Sequence, residues 1–393
     1  MSPVPANLPL NDPAFYASDP WDIYRQLRDE CPVYWCEPGG FWALTRHEDV
    51  LAVSTNPDTF CNGQGMTMRG GELSHVQGGE TMITMDPPQH TTQRTLVRRA
   101  FTSRAVKRLE VHIRDIARAV LDDVPTAQPI DFVDAVAARV PAIVIAELLG
   151  VPVEDRDKFV KWTNASIGMA DPEYADDQVS AVVEQYEYFE HIIAERRQHP
   201  EDDLLSVLVE AETTREDFSH DNLLTLCFLL LAAGNETTRN LISNSVEALV
   251  GHPYQLARLR DGRNVRLAVE EMMRWVSPAI HMARTVTVDT ELRGQRLRAG
   301  DQVVMLYGAA NRDDRVFGPT SDELDVDRDP NPHLGFGFGT HFCLGAALAR
   351  LEAAAVFTEM LDRFQHWRVV GPVERLRSTM IRGIKHMPVI LDA

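Results

Sequence analysis

The stretch GFGFGTHFCLGAALAR, residues 335–350, constrains this chain more than any other. Glycine recurs at 335, 337 and 339, a single cysteine stands at 343, and Gly345 precedes an alanine-rich helical pattern. Closely spaced glycines let a backbone take positive φ and approach a flat ligand. A helix beginning at Leu344 would aim its free N–H groups at the sulfur and favour thiolate over thiol. Such a thiolate suits a nucleophile, a redox thiol or a single axial ligand of a cofactor metal. A buried structural cysteine is the plain alternative.

The longest helical signal runs from Ser219 to Val250, with Ser219 or Asp221 as its cap. Some thirty residues at a rise of 1.5 Å make a rod of about 45 Å, long enough to cross a domain. Its middle, Ala233 to Thr238, breaks an apolar run with small and polar groups. It marks either a shaped groove or the point where the helix meets solvent. Asp86-Pro-Pro opens another helix, which carries His90 and Arg94 on one face. VEEMMRW sets Glu271 and Arg274 at i, i+3. Val33–Trp35 and Phe41–Leu44 predict two strands joined by a Pro-Gly-Gly turn, and TVTVDTEL predicts more. The glycine-rich, aperiodic stretch 62–79 predicts a lid over a cavity. Residues 162–188 predict two helices and a connecting loop above that cavity, and residues 379–386 a loop turning back toward it.

A net charge of −19 disfavours binding to nucleic acid or anionic membranes. The amino terminus has no basic segment followed by an apolar core, and the longest apolar run, Leu226–Ala233, is too short to span a bilayer. A soluble, cytoplasmic protein is expected. Five cysteines form no disulfide framework or zinc pattern, and Cys227 reads as core. Between Thr91 and Arg108 stand Arg94, Arg98, Arg99, Arg104, Lys107 and Arg108 with no acid. In so acidic a chain this is either an exposed helix face or a docking patch for an acidic electron donor.

Phe336, Gly337, Gly339, His341, Cys343 and Gly345 match, position for position, the heme-binding loop of cytochromes P-450, and the chain resembles the bacterial members of that family. The resemblance implies a mainly α fold with small β-sheets and a long central helix over the heme. It also implies heme b (iron protoporphyrin IX), with Cys343 as the iron's proximal thiolate. DPPQHTTQR resembles the family's propionate-binding helix, which assigns His90 and Arg94 to the heme carboxylates; Arg284 matches a second such arginine. AGNETT resembles the oxygen groove of the central helix, which makes Ala233 and Gly234 heme neighbours, Thr237 the hydroxyl that meets oxygen and Glu236 a relay of protons. Glu271 and Arg274 would form a structural lock with Arg328, in a loop that is one residue longer than the commoner pattern and has Leu324 where phenylalanine is usual.

A single domain spanning 1–393 is expected, with a β-containing lobe at 30–60 and 283–330 and a helical lobe at 86–276 and 344–365. The implied activity is hydroxylation of an apolar small molecule with O2 and electrons from a ferredoxin/reductase pair, docked near Arg98, Arg99 and Arg104. The ending RSTMIRGIKHMPV is similar to members that oxidise steroid, terpenoid or branched lipid chains, while fatty acids and macrolides stay open. Met66, Met68, Met82, Leu229, Ile280, Met282 and Met380 are the pocket candidates, in a monomer. A peroxygenase or isomerase on the same fold would tend to lack the Glu236–Thr237 pair, and a heme sensor would not need it.

Overall fold

The computed structural model describes residues 4–5, 7–70, 81–156, 158–159, 161–162, 171–173 and 178–392. The second half of the stretch expected to form a lid, residues 71–79, and much of the 162–188 segment before residue 178 lie outside these residues. The central helix runs from His220 to Gly251, with Ser219 accepting the Asn222 N–H as its N-cap. Cys227 is fully buried on it. The helices Glu110–Asp122, Arg139–Leu148, Val265–Val276 and Ala346–Arg363 pack with it into one large apolar cluster.

The predicted strands Val33–Cys36 and Phe41–Leu44 pair antiparallel, Tyr34 opposite Ala43. They open a five-stranded sheet that continues through Gln302–Leu306, His281–Val286 and Phe60–Cys61. Pairing of Arg284 with Val303 inside this sheet fixes where the Arg284 side chain emerges. The chain also forms a three-stranded sheet from Ile130–Asp131, Pro388–Asp392 and His366–Val369. Neither its long-range pairing nor the short strand Ile384–His386, inside the 379–386 segment read as a loop, was legible in local periodicity.

One boundary bears on the cysteine. The last long helix starts at Ala346 with Gly345 as its N-cap, so Leu344 precedes it rather than opening it. The Gly345 N–H reaches the sulfur.

Candidate active site

Two glycines shape the cysteine loop. Gly337 and Gly339 sit at φ +67 and +72, and a Cβ on Gly339 would lie 2.2 Å from the Ser54 carbonyl oxygen, so the loop backbone presses against the helix His47–Ser54. The Cys343 N–H donates to the Phe336 carbonyl at 2.9 Å. The loop thereby presents Cys343, Phe336 and Gly345 to a cavity whose opposite wall is the central helix at Leu229, Ala233, Gly234, Thr237 and Thr238. Burial pushes the Cys343 thiol up, against the opposing pull of the Gly345 N–H, Arg94 and Arg350. Desolvation thus opposes the thiolate that the helix end favours, and a bound metal cation would offset it.

At one end of the cavity stand four basic side chains, His90, Arg94, Arg284 and His341. None is matched by a carboxylate hydrogen bond among the described residues. Arg94 donates to the Phe342 carbonyl at 2.5 Å, Arg284 to its neighbour Ala283 at 2.7 Å, and buried His90 leaves Nδ1 without a partner. The nearby carboxylate, Asp86, accepts the Asn62 and Gly63 N–H groups at 2.8 Å each. Burial and then Arg94 push His90 down to about 4; burial, Arg284 and His90 push His341 to about 2, with the two rings 4.1 Å apart. Unspent donors and crowded cations in a buried place call for an anion. This donor set, a sulfur facing the same cavity and otherwise mostly apolar walls fit a flat metalloporphyrin with two carboxylates.

A pH effect follows. His90 has a folded-state pKa below its ordinary 6.5, so below that pH the unfolded chain binds a proton that the folded one refuses. Stability of heme-free protein should fall from about pH 6.5 and level off below about 4, whereas the loaded protein, with carboxylates beside His90, should show a flatter profile. Thermal melts of both forms across that range check this. Identical profiles would place the heme carboxylates elsewhere.

The central helix separates the two residues of the implied relay. Thr237 lines the cavity, its Oγ1 donating to the Ala233 carbonyl at 3.0 Å. Glu236 does not line it. It is buried against the Asn240 amide, with Arg239 at 3.9 Å, one carboxylate oxygen unpaired, and burial pushes it up to about 7. Each residue in a helix is turned by about 100° from its neighbour, and here the turn sets Thr237 in the cavity wall and Glu236 outside it. Sequence reasoning missed Glu352, which is buried, lines the cavity and is hydrogen-bonded to Thr238. Burial holds its carboxyl well above the usual range. The available signal was a lone acid in an otherwise apolar helical run.

Beneath the cysteine loop, Glu271 and Arg274 are fully buried and bond bidentately at 2.7 Å. Arg328 Nε joins Glu271 at 3.2 Å despite its unusual loop, and the Asn331 amide adds a bond at 3.0 Å. A second anchor was not anticipated. Glu270 accepts from Arg350 at 2.6 and 2.9 Å and from His333 at 3.0 Å, and the Arg350 guanidinium lies 4.3 Å over the Phe336 ring. Burial pushes Glu270 up, and its bonds from His333 and Arg350 outweigh this, taking it to about 2.

Of the pocket candidates, Met82, Leu229 and Met282 line the cavity. Met66, Met68, Ile280 and Met380 are not among its walls. Met68 and Ile280 instead pack into an apolar cluster with Leu8, Leu10 and Phe15, because the amino-terminal segment covers that face of the sheet. Ile83, Ile145, Leu230, Pro278 and Ala279 take their places. Arg98, Arg99 and Arg104 are exposed and join no ion pair found among the described residues. No described helix is long and apolar enough to cross a membrane.

The family model described as Cytochrome P450 matches residues 3–262 and 264–380. The methyl-branched lipid omega-hydroxylase of Mycobacterium tuberculosis is 38% identical, over 98% of this chain and 96% of the relative. The steroid C26-monooxygenase of Mycolicibacterium smegmatis is 36% identical, over 94% and 90%. A solved cytochrome P450 of Mycobacterium marinum in complex with pseudoionone superposes with a TM-score of 0.90 at 34% identity, covering 99% of this chain and 100% of its own. One from Bacillus megaterium in complex with testosterone gives 0.86 at 32%, covering 97% and 100%.

Proposed function

The chain belongs to the cytochrome P450 family, monooxygenases whose cofactor is heme b, and on that premise we propose that it hydroxylates an apolar molecule of the steroid, terpenoid or branched-lipid type. The carrying observation is that Cys343 and Thr237 line one cavity whose other walls are largely apolar. The named relatives, which act on a methyl-branched lipid and on a steroid, support an aliphatic substrate of that kind. We take the whole chain as one catalytic domain.

Bound heme would supply the one-electron and O2 chemistry. Cys343 would hold it through its thiolate sulfur, His90, Arg94, Arg284 and His341 would bind its acid groups, and Phe336, Gly345, Ala233 and Gly234 would flank it. Thr237 keeps its hydroxyl proton on the Ala233 carbonyl and can release it toward the cavity by turning about χ1. Glu236, whose carboxyl burial pushes up to about 7, is a proton reservoir on the far side of the helix, and Glu352, held above the usual carboxylate range by burial, can donate through Thr238. Apolar walls exclude bulk water, so protons arrive through these groups. Electrons would come from an acidic ferredoxin and its reductase, docking on Arg98, Arg99 and Arg104.

The test is a titration of loaded enzyme with a steroid, a methyl-branched lipid and a straight fatty acid. The readouts are the Soret shift and products made with a ferredoxin system. A shift and a hydroxylated product from the first two classes are expected; neither from any apolar substrate would overturn the reading. Thr237→Ala should keep heme and NAD(P)H consumption yet divert most of the oxygen to hydrogen peroxide. Full product yield would remove Thr237 from proton delivery. Arg99→Glu should slow reduction by the ferredoxin several-fold at low salt and little at high salt, because exposed charges are screened there. A salt-independent rate in both forms would move the docking site.

A further inference from the structure

A second cavity, of about 220 Å3, lies where the carboxyl-terminal ends of the central helix and of the helix Val265–Val276 meet Trp21. Trp275, Arg312, Arg382 and Glu247 also line it. Glu247 is spent, since both its oxygens bond Arg375 at 2.7 and 2.8 Å. The two lining arginines are not. The Arg312 guanidinium lies 3.7 Å from the ring centroids of both Trp21 and Trp275, and that of Arg382 lies 4.6 Å from Trp21. Two cations thus share one indole.

Their carboxylates are too far for hydrogen bonds. Asp322 stands 3.8 Å from Arg312, and Asp19 stands 3.6 Å from Arg382 with its own side chain largely in water. Arg312 is buried, yet its Nε has no partner and its Nη2 reaches only the Trp275 carbonyl, at 3.4 Å. Burial and then Arg274 push Arg312 down to about 9, and burial and then Arg375 lower Arg382. Aromatic faces stabilise guanidinium charge and hold its plane, but they use none of its in-plane donors. A buried cation with unspent donors is costly unless an acceptor arrives. A tetrahedral oxoanion is that acceptor, because its oxygens match the guanidinium fork two at a time.

We propose that this cavity binds one small oxoanion of the phosphate or sulfate class between Arg312 and Arg382. Bound there, the ion would brace the wall of the larger cavity. The Arg382 N–H donates to the Pro278 carbonyl at 2.8 Å, and Pro278 lines the Cys343 cavity.

The experiment is equilibrium dialysis of the heme-loaded protein with radiolabelled phosphate, ionic strength being held constant with chloride. Saturable uptake near one ion per chain is expected, displaced by unlabelled sulfate and weakened at least tenfold by Arg382→Gln. Arg298→Gln, the same charge change at an exposed position, should leave the affinity as it was. No saturable uptake, an unchanged affinity in Arg382→Gln, or equal weakening by Arg298→Gln would each overturn the site. Arg312→Lys, which keeps the charge and loses the fork, should also weaken uptake if it folds; Arg382→Gln remains the deciding variant. Uptake is read without turnover, so it is independent of the proposed oxidation.

Discussion

Cys343→Ser is expected to abolish the red-shifted Soret band of the reduced carbon monoxide complex and to reduce product formation to background. The substitution exchanges one atom. The backbone bond from residue 343 to the Phe336 carbonyl, the positive-φ glycines and the buried lock do not involve the sulfur, so the loop keeps its shape. A serine hydroxyl is a harder ligand than a thiolate, gives up its proton less readily than a thiol and donates far less electron density to the iron. The four basic groups of the cavity are untouched, so heme should still be taken up, with an altered spectrum. Three readouts separate the outcomes: heme content, the carbon monoxide spectrum and thermal stability. An unchanged band in a folded, loaded variant would exclude Cys343 as the ligand and with it the assignment of the whole loop. Loss of folding without heme would instead make Cys343 a structural residue.

What could be read from the sequence was what is local. The loop around Cys343 and the Glu271–Arg274 spacing each lie within a few turns of chain, where residue order dictates geometry, and the structure brings these groups to the places their spacing suggests. The adjacency of Glu236 and Thr237 did not tell which of them faces the cavity, for an equally local reason. Neighbours on a helix point in different directions, so the hydroxyl took the cavity and the carboxyl took Asn240 and Arg239. Other features depend on chain brought from far away. Met68 and Ile280 look like pocket residues until Leu8, Leu10 and Phe15 fold over them. Glu352 becomes notable only when its helix sets it against Thr238 on the central helix. Likewise the carboxyl-terminal sheet borrows Ile130–Asp131 from the middle of the chain, a pairing that hydrophobic periodicity does not encode.

Arg274→Ala should be the most destabilising single change outside the cofactor site. Its guanidinium bonds both oxygens of Glu271 at 2.7 Å, and the carbonyls of Asn311, Ser321 and Glu323 at 2.7 to 2.8 Å. Alanine would take a donor from three carbonyls, of which Glu323 keeps Arg328, and leave a fully buried carboxylate held, among the described residues, by Arg328, Asn331 and the Asp325 N–H. Breaking one side of a buried pair costs about 3–5 kcal/mol, comparable with the net stability of many domains. The damage should reach the cofactor, because Asn311 Oδ1 accepts the Leu334 N–H at the start of the cysteine loop. Arg274→Ala is therefore expected to yield little heme-loaded protein. Arg328→Ala should be milder, since its bond to Glu271 is longer, at 3.2 Å, and Arg274 still neutralises the acid. Arg274→Lys separates charge from geometry: a lysine restores the charge but cannot serve Glu271 and three carbonyls at once, so it should recover only part of the loss. Heme content and melting temperature of the three variants provide the check. Wild-type values for Arg274→Ala would show that the loop is held by other contacts, with the Glu270–Arg350–His333 anchor first among them.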